Sequence, residues 1–260
     1  MARIVKEKEY AIRRNEILDA AIRLVYRKGF EQMTVQDILN ELHISKGAFY
    51  HYFESKGMVM EALVERIVQE EVLPLVSHIV QSPGLSALEK LESYFDTVLR
   101  WKTGNKVVMI SLLRVWMSDE NAVLRQKLFG MTSQEVVPML AEIIRQGVRE
   151  GTFTTSYPEQ VCQVIFYIMQ GLSESILELF LLDETDLDQA QVESRIRAFT
   201  NVLNDAIERV LGAPAGSLHL VEVDTLMKWW SQSEPTLNGE TAISAEGGGD
   251  LALVGIEKYG

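Results

Sequence analysis

The sequence predicts an all-α protein with an N-terminal three-helix bundle and a larger C-terminal helical domain. Three observations support this fold class. Apolar residues recur at helical spacing from residue 17 to residue 211. Glycines and prolines fall where these periods stop. No stretch before the C-terminal tail shows the alternating pattern of a half-buried strand. Apolar residues make up 47% of the chain, enough for a sizeable core.

Each of the N-terminal helices has a recognisable start or stop signal. The first carries apolar residues at helical spacing from Ile17 onward and stops at Gly29. Thr34 stands three residues before Asp37, which is the spacing of a capping box and predicts the start of a second helix. Ser45 is placed to cap a third. Three helices in close succession, of which the second and third are short, therefore precede residue 55.

The later helices are longer. A helix that starts at Ser55 is predicted to run toward Val80, with a kink near Pro74. Interruptions are expected near Gly130 and Pro138 in the region 120–149. The other predicted helices cover residues 86–104, 106–117, 158–182 and 187–211.

These signals divide the chain into three parts. Residues 1–55 form the small bundle and residues 56–212 form the larger helical domain. Residues 213–260 form a tail that is polar and glycine-rich over "EPTLNGETAISAEGGGD". Within the tail, "VDTLMKWW" predicts one further short amphipathic helix.

Charge is unevenly distributed along the chain. The formal net charge of −12 argues against a protein coated for nucleic acid over its whole surface. Residues 1–60 carry ten Lys and Arg against eight Asp and Glu, whereas the other 200 residues carry fifteen against twenty-nine. The N-terminal part is therefore the place where a polyanion can dock.

The residues that would support catalysis or export are absent from the sequence. Cys162 is the one cysteine, and the four histidines have no metal-ligand spacing. The sequence contains no phosphate-binding glycine loop and no nucleophile elbow. The charged start is not a signal peptide, and no apolar run is long enough for a membrane span. We expect a cytoplasmic protein that is not an enzyme and has no cofactor or metal.

Residues 35–53 have the layout of a helix-turn-helix, with the second helix amphipathic. Its phenylalanines point toward the first helix, and its other face carries Lys46, Gly47, Tyr50 and His51. Lysine and tyrosine donate hydrogen bonds to phosphate oxygens, and small residues let a helix approach base edges. Lys56, at the start of the next helix, is a further candidate for a phosphate contact. The alternative is a purely structural three-helix bundle.

The stretch "TVQDILNELHISKGAFYHYFESKGMVMEAL" resembles the DNA-binding region of the TetR family of bacterial regulators. The resemblance covers about residues 10–65, and its most specific part is "SKGAFYHYF". It implies that Phe53 is buried and that His43 stands where many members have a glycine. The DNA-contacting residues that we carry into the prediction are Thr34, Ser45, Lys46, Gly47, Tyr50, His51 and Lys56.

The same resemblance implies that the larger domain binds an effector and forms a homodimer. The predicted helix over 158–182 is apolar on more than one face and has Gly171 in its middle, so it and the helix over 187–211 can supply half of a two-fold four-helix interface. A dimer places two recognition helices about one DNA turn apart, which matches a palindromic operator. The alternative is a monomer with a central buried helix.

A small-molecule pocket is expected among the helices of the larger domain. Apolar cavities with a few polar groups are typical of such sites. Each candidate also fits ordinary core packing, since tryptophan and methionine fill any helical core. The candidate lining residues are Trp101, Met109, Leu113, Trp116, Met117, Phe166, Tyr167, Gln170 and Glu174.

These observations favour a transcriptional repressor that a small apolar or amphipathic effector releases from double-stranded DNA. Two alternatives stay open. One is an activator, or a DNA-binding protein that responds to no effector. The other is a helical protein-interaction module whose N-terminal bundle binds a protein partner.

Overall fold

A computed structural model describes residues 2–117, 122–181 and 188–231. Over these residues the chain is all-α, as predicted, with eleven α-helices, one π-helical turn and no strand. None of the helices within these ranges is both long and apolar enough to cross a membrane. The helices are α1 (Ala2–Gln32), α2 (Val35–Leu42), α3 (Lys46–Tyr50), α4 (Lys56–Ile67), α5 (Leu73–Gln81), α6 (Ala87–Gly104), α7 (Lys106–Met117), α8 (Ala122–Glu150), α9 (Pro158–Leu181), α10 (Gln189–Leu211) and α11 (Val223–Ser231).

The described residues fall into two compact units. The first comprises residues 2–68, 104–117 and 122–129, and the second comprises residues 69–103, 130–181 and 188–231. Helix α7 thus groups with the N-terminal helices, because it packs along α1. The sequence predicts that the DNA-binding and effector-binding parts of the chain meet at residue 55, and this boundary remains a prediction.

In the first unit, α1 supplies a continuous apolar face to α2, α4 and α7. Ile17, Leu18, Ala21 and Val25 are all buried on this face. Gly29 has a φ of 77°, outside the helical range, so the regular helix ends there, as predicted from its glycine.

The helical geometry changes where the sequence predicts a kink near Pro74. A π-helical turn, Val68–Val72, lies between α4 and α5, and Pro74 occupies the first turn of α5. Proline has no N–H to donate and its ring clashes with the carbonyl four residues earlier. The π turn is the local adjustment that such a residue favours.

The expected interruptions near Gly130 and Pro138 are not present, because α8 is continuous from Ala122 to Glu150. Pro138 is exposed, so water can solvate the carbonyl that it leaves without a partner. Beyond it, Leu140 and Ile144 are buried in the core of the second unit and hold the helix in register.

The segment after α10 belongs to the second unit and is not a free tail up to residue 231. Leu218 and Leu220 are buried in the same core as α6, α8 and α9, and Leu226 packs against α10. The buried carboxylate of Glu208 accepts hydrogen bonds from the backbone N–H groups of Gly216 and Leu218, both at 2.9 Å. The predicted helix in "VDTLMKWW" is α11, and residues 232–260 lie outside the described part.

Candidate nucleic-acid interface

The interface candidate begins with two capped helices joined by a tight turn. Thr34 caps α2 through the predicted capping box with Asp37. His43 ends α2 in the left-handed conformation, with φ 51° and ψ 41°. The N–H of Ile44 then donates to Leu39 O at 3.1 Å, which closes the turn. Ser45 Oγ accepts from Ala48 N at 3.2 Å and starts α3.

Position 43 has a backbone conformation that glycine adopts without strain. The chain adopts this turn although the residue is a histidine. The left-handed conformation is strained for a residue with a Cβ, although histidine tolerates it better than most residues do. His43 therefore makes the turn less stable and leaves its geometry intact.

The inner face of α3 is buried, as the sequence predicts. Phe49 is fully buried and Phe53 is 2% exposed. Their ring centroids lie 6.1 Å apart, and the guanidinium of Arg14 lies 5.0 Å from the centroid of Phe53. Because α3 has only five residues, it cannot be stable by itself, and this burial holds it against α1 and α2.

The outer face of α3 collects four of the predicted residues. Lys46, Gly47, Tyr50 and His51 are all exposed. In the described part of the chain, neither the Lys46 ammonium nor the Tyr50 hydroxyl makes a hydrogen bond or an ion pair; the ammonium lies 5.8 Å from the centroid of the Tyr50 ring. These groups are exposed donors with no protein acceptor, which suits contact with a polyanion.

Thr34 and Ser45 are exposed too, but their hydroxyls are engaged in caps. Thr34 Oγ1 accepts from Asp37 N at 3.1 Å and donates to Asp37 Oδ2 at 2.7 Å. The hydrogen bond from Lys28, followed by those from Thr34, lowers the pKa of Asp37 to about 2. A phosphate would have to compete with this carboxylate for the Thr34 hydroxyl.

The structure corrects the role predicted for Lys56. Its Nζ donates to the carbonyl oxygens of Phe30, Glu31 and Met33 at 2.8, 3.1 and 2.9 Å. These three bonds use all three ammonium hydrogens and tie the end of α1 to the start of α4. Burial lowers the pKa of the Lys56 ammonium. We therefore leave Lys56 out of the candidate interface.

Sequence reasoning missed that α1 continues alongside the end of α3. The Tyr10 ring lies 4.8 Å from the Tyr52 ring and 5.7 Å from the His51 ring, measured between centroids. Tyr10 stands seven residues before Ile17, so it extends the inward stripe of α1 by two turns. That spacing is the signal that could have predicted the contact.

The residues predicted to line an effector pocket are not all in one unit. Met109 and Leu113 belong to the first unit, whereas Trp101, Phe166 and Gln170 are half-buried in the second. Trp101 Nε1 donates to Glu71 Oε2 at 3.1 Å. The side chains of Trp116, Met117 and Glu174 are not among those that the structure describes.

Tyr167 is the clear correction among the pocket candidates. It is 55% exposed and lies on the same outward face of α9 as Val164, which is 45% exposed. Val161, Cys162 and Ile165 form the buried face of the same helix. Helix α10 packs beside α9 and exposes Val202 to 59%. Val164 and Tyr167 thus form an exposed apolar patch on α9, and Val202 is an exposed apolar residue of α10.

An all-helical chain whose helix-turn-helix presents unengaged donors on its second helix has the features of a DNA-binding transcriptional regulator. The family model of bacterial regulatory proteins of the tetR family matches residues 17–63. The model of the tetracyclin repressor-like C-terminal domain matches residues 111–202. The chain belongs to the tetR family.

Individual relatives and solved structures are similar over most of the chain. The transcriptional regulator BetI of Escherichia coli is 22% identical over 73% of this chain and 92% of its own length. The transcriptional repressor DhaR of Mycobacterium sp. strain GP1 is 25% identical over 61% of this chain and 79% of its own. The crystal structure of RolR in complex with resorcinol has a TM-score of 0.56 at 13% identity, covering 87% of this chain and 96% of that one, and shares the fold.

Proposed function

We propose that this regulator is a homodimeric cytoplasmic repressor that binds a palindromic operator and is released by a small apolar or amphipathic effector. DNA binding is assigned to residues 1–55, and effector binding and dimerisation to residues 56–212. The observation that carries the proposal is the outer face of α3, where Lys46 and Tyr50 present donors that no described protein group engages. The buried Phe49 and Phe53 keep that face turned outward.

The DNA-binding part of the proposal is tested with Lys46→Ala and Tyr50→Ala in the full chain. Lys46→Ala removes a charge that can neutralise one phosphate, so it should weaken binding and reduce the slope of log K against log salt by about 0.9. Tyr50→Ala removes a neutral donor, so it should weaken binding without changing that slope. Lys127→Ala is the matched control, because Lys127 is an exposed lysine of the same unit that pairs with Glu61 at 3.0 Å. Equal salt slopes for all three variants and the wild type would contradict the proposed surface.

The dimer is supported by the exposed apolar patch on α9 and by the exposed Val202 of α10. Contiguous exposed apolar patches are typical of association sites. Val202→Asp should convert the dimer to a monomer in sedimentation experiments and weaken operator binding. Val148→Asp is the control, because Val148 is an exposed valine of α8 outside the patch. A wild-type chain that sediments as a monomer at micromolar concentration would rule out this part.

The effector response has a physical route in the first unit. Helix α7, which belongs to the proposed effector domain, packs on α1 of the DNA-binding domain, and Tyr26 Oη donates to Asn105 Oδ1 at 3.3 Å. An effector acts only through different affinities for the DNA-bound and released arrangements. The coupling is reciprocal: if the effector lowers the affinity for the operator by some factor, the operator lowers the affinity for the effector by the same factor.

Trp101, Phe166 and Gln170 stay as candidate lining residues because they are half-buried in the second unit. Small aromatic and amphipathic compounds are the ones to screen, starting with resorcinol, which is named as the ligand of RolR. A reporter placed behind the operator then distinguishes repression from activation. A protein that ignores every compound and raises transcription would be an activator without an effector.

A further inference from the structure

We propose that Tyr10 is a positioning residue for DNA recognition, which sets the orientation of the His51 side chain at the operator. The inference rests on the proposed function and adds a residue from α1, outside the helix-turn-helix. It assigns to the N-terminal turns of α1 a role in base preference.

The backbone around His51 is fully held by the helix itself. His51 N donates to Gly47 O at 3.2 Å, and the next two N–H groups, of Tyr52 and Phe53, donate to Phe49 O at 2.9 and 3.1 Å. His51 has φ −69° and ψ −26°, so it continues the helical conformation of α3. The position of its Cβ is therefore set without any help from α1.

The imidazole is held only by aromatic rings. It contacts Tyr52 at 5.0 Å with an interplanar angle of 78°, and Tyr10 at 5.7 Å with an angle of 80°. Both are edge-to-face arrangements, which fix the relative orientation of rings. Within the described residues the imidazole makes no hydrogen bond and no ion pair, so its two nitrogens are available to a base or a phosphate.

Tyr10 is itself anchored, so it can impose an orientation. Its ring lies 4.8 Å from that of Tyr52 at a tilt of 39°. One turn further along the same face of α1, Arg14 stacks over Phe53. This helix face thus contacts three consecutive residues, His51, Tyr52 and Phe53, at the end of α3. A histidine held between two rings loses less rotamer freedom on binding DNA than one free in solvent.

The test is a double-mutant cycle on DNA affinity with the full-length protein. An operator is first selected from random-sequence duplexes with the wild type. Affinities for it are then measured for Tyr10→Ala, His51→Ala and the double variant, well below their unfolding temperatures. Tyr10→Ala should weaken binding about two- to tenfold, the equivalent of one aromatic pair. The double variant should bind no more weakly than His51→Ala, because Tyr10 acts through His51.

Two further measurements separate positioning from other roles. Tyr10→Phe keeps the ring and should bind like the wild type; a loss equal to that of Tyr10→Ala would mean that the hydroxyl contacts DNA directly, which overturns the proposal. Repeating the selection with Tyr10→Ala should relax base preference at the one half-site position that His51→Ala also relaxes. A cycle between Tyr10 and Tyr50, which does not contact it, should be additive.

The outcomes distinguish this inference from the function on which it rests. If the wild type selects an operator and the effects of Tyr10→Ala and His51→Ala add, positioning by Tyr10 is wrong and the regulator stands. If the wild type selects no duplex at low salt, both are wrong.

Discussion

Residues 34–53 and the α9–α10 pair stabilise their helices in opposite ways. The first region contains two helices of eight and five residues, and each is started by a side-chain cap. The second contains helices of 24 and 23 residues, whose apolar stripes run for many turns. Short helices depend on caps and on one or two buried rings, because few backbone bonds offset the cost of nucleation. Long helices distribute the same stabilisation over many contacts.

The difference explains which surfaces are free to bind. In residues 34–53 nearly every buried side chain is needed to hold the two short helices. The donors on the exposed face of α3 take no part in this packing and stay available to a ligand. In the long region the inward stripe is enough for stability, so the outward face of α9 can carry apolar residues such as Val164 and Tyr167 without weakening the monomer. The first surface suits a polyanion and the second suits a like apolar surface.

The largest expected effect is on the short region. Phe49→Ala should lower the free energy of unfolding by about 3–5 kcal/mol, because it removes a fully buried ring that holds a five-residue helix. Urea titration followed by circular dichroism measures it. Tyr50→Ala, one position away on the exposed face, loses only its edge-to-face contact with the Phe49 ring and should cost at most about 1 kcal/mol. Similar losses for both variants would refute the division of α3 into two faces.

A buried carboxylate plays the comparable part in the long region. Glu208→Ala should destabilise by about 2 kcal/mol, because the N–H groups of Gly216 and Leu218 lose their acceptor. Glu193→Ala on the same helix removes only an exposed pair with Arg197, so it should cost at most about 0.5 kcal/mol. Thermal unfolding of the two variants compares them directly. Equal melting temperatures would show that residues 213–231 are held by their leucines alone.

Two lysines of α6, Lys90 and Lys102, differ in whether the ammonium group has a hydrogen-bond acceptor. Lys90 is buried and donates to Val80 O at 2.6 Å, whereas Lys102 makes no hydrogen bond or ion pair in the described part. Desolvation lowers the pKa of Lys102. Lys102→Met should therefore stabilise the protein, by about 1 kcal/mol, and Lys90→Met should destabilise it by a similar amount.

The pH dependence of the Lys102 variant has a defined sign. The folded chain releases this proton at a lower pH than the unfolded chain does. Burying the charged Lys102 ammonium therefore lowers the free energy of unfolding by its full amount below the folded-state pKa. This loss of stability becomes smaller as the pH rises toward the ordinary pKa of lysine. The gain from Lys102→Met should be largest at pH 7 and smaller at pH 10. A gain that grows with pH would show that Lys102 has a compensating partner.

The smallest expected effect concerns the turn between α2 and α3. His43→Gly should raise the free energy of unfolding by about 0.5–1 kcal/mol. Glycine removes the strain of the left-handed conformation, and its greater conformational entropy in the unfolded chain offsets only part of that stabilisation. Asn40→Gly, at a helical position of α2, should lower stability by about the same amount. Differential scanning calorimetry resolves both. A destabilising His43→Gly would mean that the imidazole contributes more than its backbone costs.

Sequence reasoning succeeded where the signal was local. Thr34 with Asp37, Ser45, Gly29 and Gly212 mark helix ends within three or four residues, and the structure has helix ends at each of them. It failed at Pro138, because an exposed proline in a helix whose flanks are well packed need not end that helix. It also failed at Tyr167, because an apolar stripe does not reveal which of its sides another helix covers.

By itself the sequence determined the all-α class, the helix-turn-helix and the side of α3 that carries Lys46 and Tyr50. All of these follow from caps and periodicities that span one or two turns. Only the tertiary structure decided that Lys56 donates to Phe30 O in the last turn of α1, 26 residues before it, and that His219 N donates to Glu92, 127 residues before it. Such contacts depend on the path of the whole chain, so the residue types at either end do not specify them.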